Sequence, residues 1–188
     1  VHDGRQPLRG SLGVRVHDLD AVPVADASID IEVPAAGSAT VDTEAVLGGF
    51  RDLNHAHAFG PPRYDVLHAE LLVDGAVRAE VTHLLLGPAR PRLPDAGLAA
   101  TVVAGDGGFR VEVTTREAAQ RVAFDVPGFV PDVGWFHLAP GAGRSVRLHP
   151  HAGTAADAVP HGTVRALNAR RTAPVTARVA RGVPGGQS

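Results

Sequence analysis

Phe109-Arg110-Val111-Glu112-Val113-Thr114 decides the fold class. Successive side chains of an extended chain point to opposite faces, so Phe109, Val111 and Val113 share one side and Arg110 and Glu112 the other. A strand written this way has one buried face and one solvated face, as antiparallel sheets do. The same alternation returns at Val122, Phe124 and Val126.

Outward from this stretch, helical periodicity is scarce, and short alternating segments rich in Val and Thr recur between Gly, Pro and Asp clusters. Residues 98–103, 109–114, 121–126, 144–149, 162–168 and 174–180 are predicted strands, with Gly105-Asp106-Gly107-Gly108 as the turn before Phe109. In the first half, strands are predicted at 11–17, 27–33, 39–43, 65–73 and 77–86. The last two are joined by Asp74-Gly75, a hairpin signal because a type I′ turn needs residues that tolerate positive φ. Inner faces of this kind bury themselves sheet against sheet.

Gly87-Pro88-Ala89-Arg90-Pro91-Arg92-Leu93-Pro94 carries three prolines, which lack the amide donor that a central strand needs. It marks a boundary. A chain of 188 residues holds two sandwiches of about 100 residues each. The expected organisation is a first domain over 1–88, a Pro-rich linker over 89–97, a second domain over 98–181 and a tail over 182–188 whose composition predicts fraying.

Composition narrows the function. Apolar residues make up 44% of the chain and the net charge is −2, enough to build a core and too balanced for a disordered polyelectrolyte. Arg15, Arg78, Arg110 and Arg147 alternate with apolar residues instead of clustering, and acidic residues slightly outnumber basic ones, which argues against nucleic-acid binding. No apolar run approaches the roughly 20 residues of a membrane span. Cysteine is absent, which excludes disulfides and thiolate metal sites and favours a reducing, cytoplasmic compartment without fixing it. Val1-His2-Asp3-Gly4 is neither a start methionine nor a signal peptide, so the chain reads as a piece of something longer.

Glu32, Glu44, Glu70, Glu80, Glu112 and Glu117 mostly alternate with apolar neighbours and are expected on solvent faces. His55 and His57 share one side of an extended segment, and His68 and His83 lie on strands that could pair. A two- or three-His metal site is geometrically conceivable among these four, but without a supporting Cys or a ligand spacing no metal or other cofactor is expected. No serine stands in a Gly-x-Ser-x-Gly turn. The single Trp135 has two readings, a contact at a loop or domain interface and a stacking platform for carbohydrate, whereas its neighbour Phe136 should point inward.

Three motifs carry a family resemblance. Pro7-Leu8-Arg9-Gly10-Ser11-Leu12 leads into Val14-Arg15-Val16-His17-Asp18. Phe50-Arg51-Asp52-Leu53 precedes Phe59-Gly60-Pro61-Pro62-Arg63-Tyr64-Asp65-Val66. Asp132-Val133-Gly134-Trp135-Phe136-His137-Leu138-Ala139-Pro140-Gly141 follows in the second half. In this order they resemble the C-terminal immunoglobulin-like domains of bacterial β-mannosidases of glycoside hydrolase family two. Val133 stands where Asn is usual and Ala142 where Glu often follows, so the resemblance points to the group and not to the sugar.

The resemblance implies an all-β chain of two consecutive immunoglobulin-like antiparallel β-sandwich domains, with a first strand cut short at Val1-His2-Asp3. It implies a (β/α)8 barrel and both catalytic carboxylates upstream in the same polypeptide. No catalytic residue is expected here, since a barrel needs about 250 residues to hold such a pair. The expected role is an accessory, structural one beside a retaining exo-glycosidase acting on terminal β-mannosides, with homo-oligomer formation left open. The other readings are a binding or adhesion module of immunoglobulin or fibronectin type and a free-standing carbohydrate-binding module.

Overall fold

The structure is a computed structural model and describes residues 1–49, 53, 63–87, 90–105 and 108–177. The motif residues 50–52 and 54–62, with His55 and His57, lie outside the described residues. So do Pro88, Ala89, Asp106, Gly107 and the tail.

The first half forms a four-stranded antiparallel sheet in the order β2-β1-β3-β4, from β1 (Leu8–His17), β2 (Pro23–Val33), β3 (Val66–Val73) and β4 (Ala76–Leu84). On one face Leu12, Val14 and Val16 of β1 stand beside Ile29, Ala27 and Ala25 of β2, and beside Leu71, Ala69 and Leu67 of β3. Val46, Leu47 and Leu53 cover this apolar face. The β3–β4 turn places Asp74 at φ 53° and Gly75 at φ 77°, as the Asp-Gly pair predicts.

Residues 39–43 do not form the expected strand. Asp42 caps a short helix α1 (Thr43–Val46), its carboxylate accepting the Glu44 amide at 3.0 Å. Asp side chains compete in this way for nearby amides, and the helical turn lets both Val46 and Leu47 reach the sheet. Among the described residues, the apolar face is therefore covered by a helix and loop.

The second half forms an eight-stranded sheet from β5 (Ala99–Gly105), β6 (Gly108–Thr114), β7 (Ala119–Asp125), β8 (Phe129–Pro131), β9 (Phe136–Leu138), β10 (Gly143–Pro150), β11 (Gly162–Arg165) and β12 (Ala173–Ala177). The order is β8-β10-β6-β5-β12-β11-β7-β9. Val102, Val111, Val113, Val146 and Leu148 of one half pack with Val122, Phe136, Leu138 and Val164 of the other in a single core. The fold is all-β, and all its described strand–strand pairings are antiparallel except β5 with β12, which is parallel and makes this sheet mixed; an isolated parallel bridge joins Leu93 to Ala169. Pro174 precedes Val175, the first residue paired to β5, so its missing amide costs no bond there. Pro131 sits on the edge strand β8.

Candidate functional site

Two places bring polar chemistry together. The first is the join between the sheets. Val66 and Leu84, on the face of the first sheet opposite its helix, pack against Ala118 and Ala139 of the second half, small residues that allow close approach. Beside them the buried carboxylate of Asp65 forms an ion pair with the buried guanidinium of Arg90. Asn168, 1% exposed, accepts the Gln120 amide at 2.7 Å and donates to the Ala118 carbonyl at 2.8 Å. Gln120 in turn donates to the Gly87 carbonyl at 3.2 Å. These bonds satisfy groups that burial would otherwise leave at a cost.

Next to the join lies an open polar cleft of about 760 Å3, lined by Arg15, His17, Asp26, His68 and Glu70 of the first sheet and Arg116 of the second half. Arg15 pairs with Asp26 at 2.8 Å, and His68 Nδ1 meets Thr82 Oγ1 at 3.0 Å. His17 is 3% exposed and its Nδ1 has no hydrogen-bond partner among the described residues. Burial first, then the charges of Arg15 and His68, pushes its pKa below the ordinary histidine value.

The second place surrounds Trp135, which is 54% exposed while Phe136 is 4% exposed in the core. Adjacent residues of an extended segment face opposite ways, which separates them. The guanidinium of Arg121 lies 5.3 Å from the centre of the Trp135 ring, within cation–π range, and the His137 ring is 5.4 Å away. Arg121 is held at φ 47°, in the left-handed region, where the β7–β9 register shifts between Ala119 and Val122. Its amide donates to His137 Nδ1 at 3.1 Å, so that nitrogen is the acceptor and Nε2 carries the proton. Burial, then Arg121 and His83, pushes the pKa of His137 down, which keeps the acceptor free. Sequence reading found Trp135 by its rarity but missed Arg121 and His137.

The structure pairs β3 with β4, yet His68 stands opposite Thr82 and His83 opposite Leu67, so the two imidazoles project to opposite faces. Among the described residues, no three His, Asp or Glu side chains gather as metal ligands would. Glu70 and Glu80 face each other across β3 and β4, with Glu80 exposed; Glu32 pairs with Arg9 at 2.8 Å, and Glu112 is exposed on β6. None of these carboxylates is enclosed in a deep pocket.

Residues 93–169 match the family model of the mannosidase Ig-fold domain. No curated protein sequence matches the chain. Among solved structures, the chain is similar to a β-D-mannosidase from Dictyoglomus thermophilum, with 11% identity and a TM-score of 0.60 over 88% of this chain and 19% of that one. It is also similar to an exo-chitosanase from Amycolatopsis orientalis, with 14% identity and a TM-score of 0.59 over 92% of this chain and 24% of that one. At such identities the likeness is one of fold, and the chain spans less than a quarter of either enzyme.

Proposed function

We propose that this chain is a non-catalytic, structural region of a β-mannosidase-like exo-glycosidase whose (β/α)8 barrel lies upstream in the same polypeptide. In this reading residues 1–88 and 98–181 are two sandwich units and 89–97 the connection between them. The observation that carries it is that the fold likeness to two larger glycosidases extends across both sheets and beyond the matched Ig-fold stretch. The buried join supports it, since Asp65–Arg90 and the Val66, Leu84, Ala118 and Ala139 cluster hold the two sheets together in the manner of a spacer.

The parent would cleave terminal β-mannosides with carboxylates on its barrel, and this region would brace that barrel. Two measurements test the proposal. The chain alone should release no chromophore from a chromogenic β-mannoside, and turnover by it would refute a non-catalytic role. The reading frame upstream of Val1 should encode a barrel with paired glutamates at strand ends; a run of further sandwich repeats there would favour an adhesion module instead.

A further inference from the structure

The surface around Trp135 is concave as well as aromatic. A groove of about 520 Å3 is lined by Arg92, Arg121, Arg165 and Arg170 together with Trp135 and Leu167, and no carboxylate lines it. Its volume falls within the range of about 300–1,000 Å3 usual for small-ligand sites. Arg165, opposite Ala123 in the β11–β7 pairing, lines the groove together with Arg121. None of the four arginines makes an ion pair among the described residues, whereas Arg9, Arg15, Arg90 and Arg171 do.

Two apolar side chains, Trp135 at 54% and Leu167 at 50% exposure, stand in the same groove. A ligand that satisfies both features presents flat apolar ring faces and carries more than one negative charge. Guanidinium groups recognise carboxylates through paired donors, and an exposed indole stacks on the C–H face of a pyranose. Arg121 stands at φ 47°, a backbone conformation that Arg rarely adopts and the kind of local strain that collects at binding sites.

We propose that this groove binds a carboxylate-bearing saccharide, a uronic-acid oligomer, with the part of the Trp135 indole that Arg121 does not cover as the stacking platform and Arg165 and Arg121 as the principal carboxylate partners. The inference rests on the groove alone and stands whatever enzyme the chain belongs to.

Because Trp135 is the chain's one tryptophan, its fluorescence reports on the groove directly. Titration of the chain with hexagalacturonate is expected to change the emission saturably, and added salt should weaken the effect. Arg165→Ala and Arg121→Gly should each raise Kd by about tenfold or more, the loss expected for a charged contact, while Arg9→Ala on the first sheet should leave it unchanged. Equal binding of neutral mannohexaose would overturn the role of the carboxylates. Equal binding of hexaglutamate would overturn the saccharide assignment and give the groove to an acidic protein surface. Unchanged emission and no heat of binding at millimolar hexagalacturonate would overturn the site altogether.

Discussion

Asp65 and Arg90 meet where water does not reach: the carboxylate side chain is 0% exposed and the guanidinium side chain 4%. Asp65 also belongs to the sheet, its amide donating to the His17 carbonyl at 2.9 Å and its own carbonyl accepting from Leu85 at 2.8 Å. Burial pushes the Asp65 pKa up and Arg90 opposes the shift. Arg90→Ala would strand a buried carboxylate and should cost about 3–5 kcal/mol in urea unfolding, whereas the double replacement Asp65→Leu with Arg90→Met should come within about 1 kcal/mol of the parent. If the single and double variants lost equal stability, packing rather than charge pairing would hold the join.

Backbone strain at Arg121 is open to a paired substitution. At φ 47° alanine keeps the strain and loses the contact with Trp135, while glycine loses the contact and relieves the strain. Arg121→Gly should therefore be about 1 kcal/mol more stable than Arg121→Ala, as read by thermal unfolding. The reverse order would mean that the left-handed conformation is absent in solution.

Acid should weaken the fold through His17 and His137. Both have folded-state pKa values below the ordinary histidine value, so below pH about 6.5 the unfolded chain takes up protons that the folded chain refuses. Their contribution is fully present above that pH and is lost as the pH falls towards the depressed values. The slope is at most about 1.4 kcal/mol per pH unit for each histidine. Denaturant midpoints between pH 7.5 and 5.5 should show this decline, and His17→Leu should flatten it by roughly half if the two contribute alike.

Asn168 spans the second half through two buried bonds and carries no charge. Asn168→Ala leaves both the Gln120 amide and the Ala118 carbonyl without partners and should cost about 2–4 kcal/mol. Amide exchange at Gln120 is the sharper measurement, since its protection should collapse in the variant while that of Val111 in the core strand stays high.

Much of this architecture could be read from alternation alone. The stretch Phe109 to Thr114 and the hairpin at Asp74-Gly75 are local patterns, each enforced by one buried face or one turn. The strands β8 and β9 have three residues each, too few for a period of two to show. Thr43 to Val46 became helical because an Asp cap and two apolar side chains competed successfully with a short run of strand formers. At the candidate site, Trp135 stood out as a unique residue. The arginines that share its groove come from three separate segments, and nothing in a linear reading brings Arg92 and Arg165 to one surface. Arg121 was equally hidden, sitting in an alternating strand where positive φ is not expected.

The position of β12 bears on how the molecule comes into being. With β12 removed, the described pairings leave two unconnected pieces, β8-β10-β6-β5 and β11-β7-β9. The segment Ala173–Ala177 is thus the seam of the second sheet, although it lies beyond the matched stretch 93–169. While its residues remain in the exit tunnel, the two pieces can be held together only through their side chains. Completion of this sheet therefore waits on the arrival of five residues and is slowed by the long separation between Ala100 and its partner Val175.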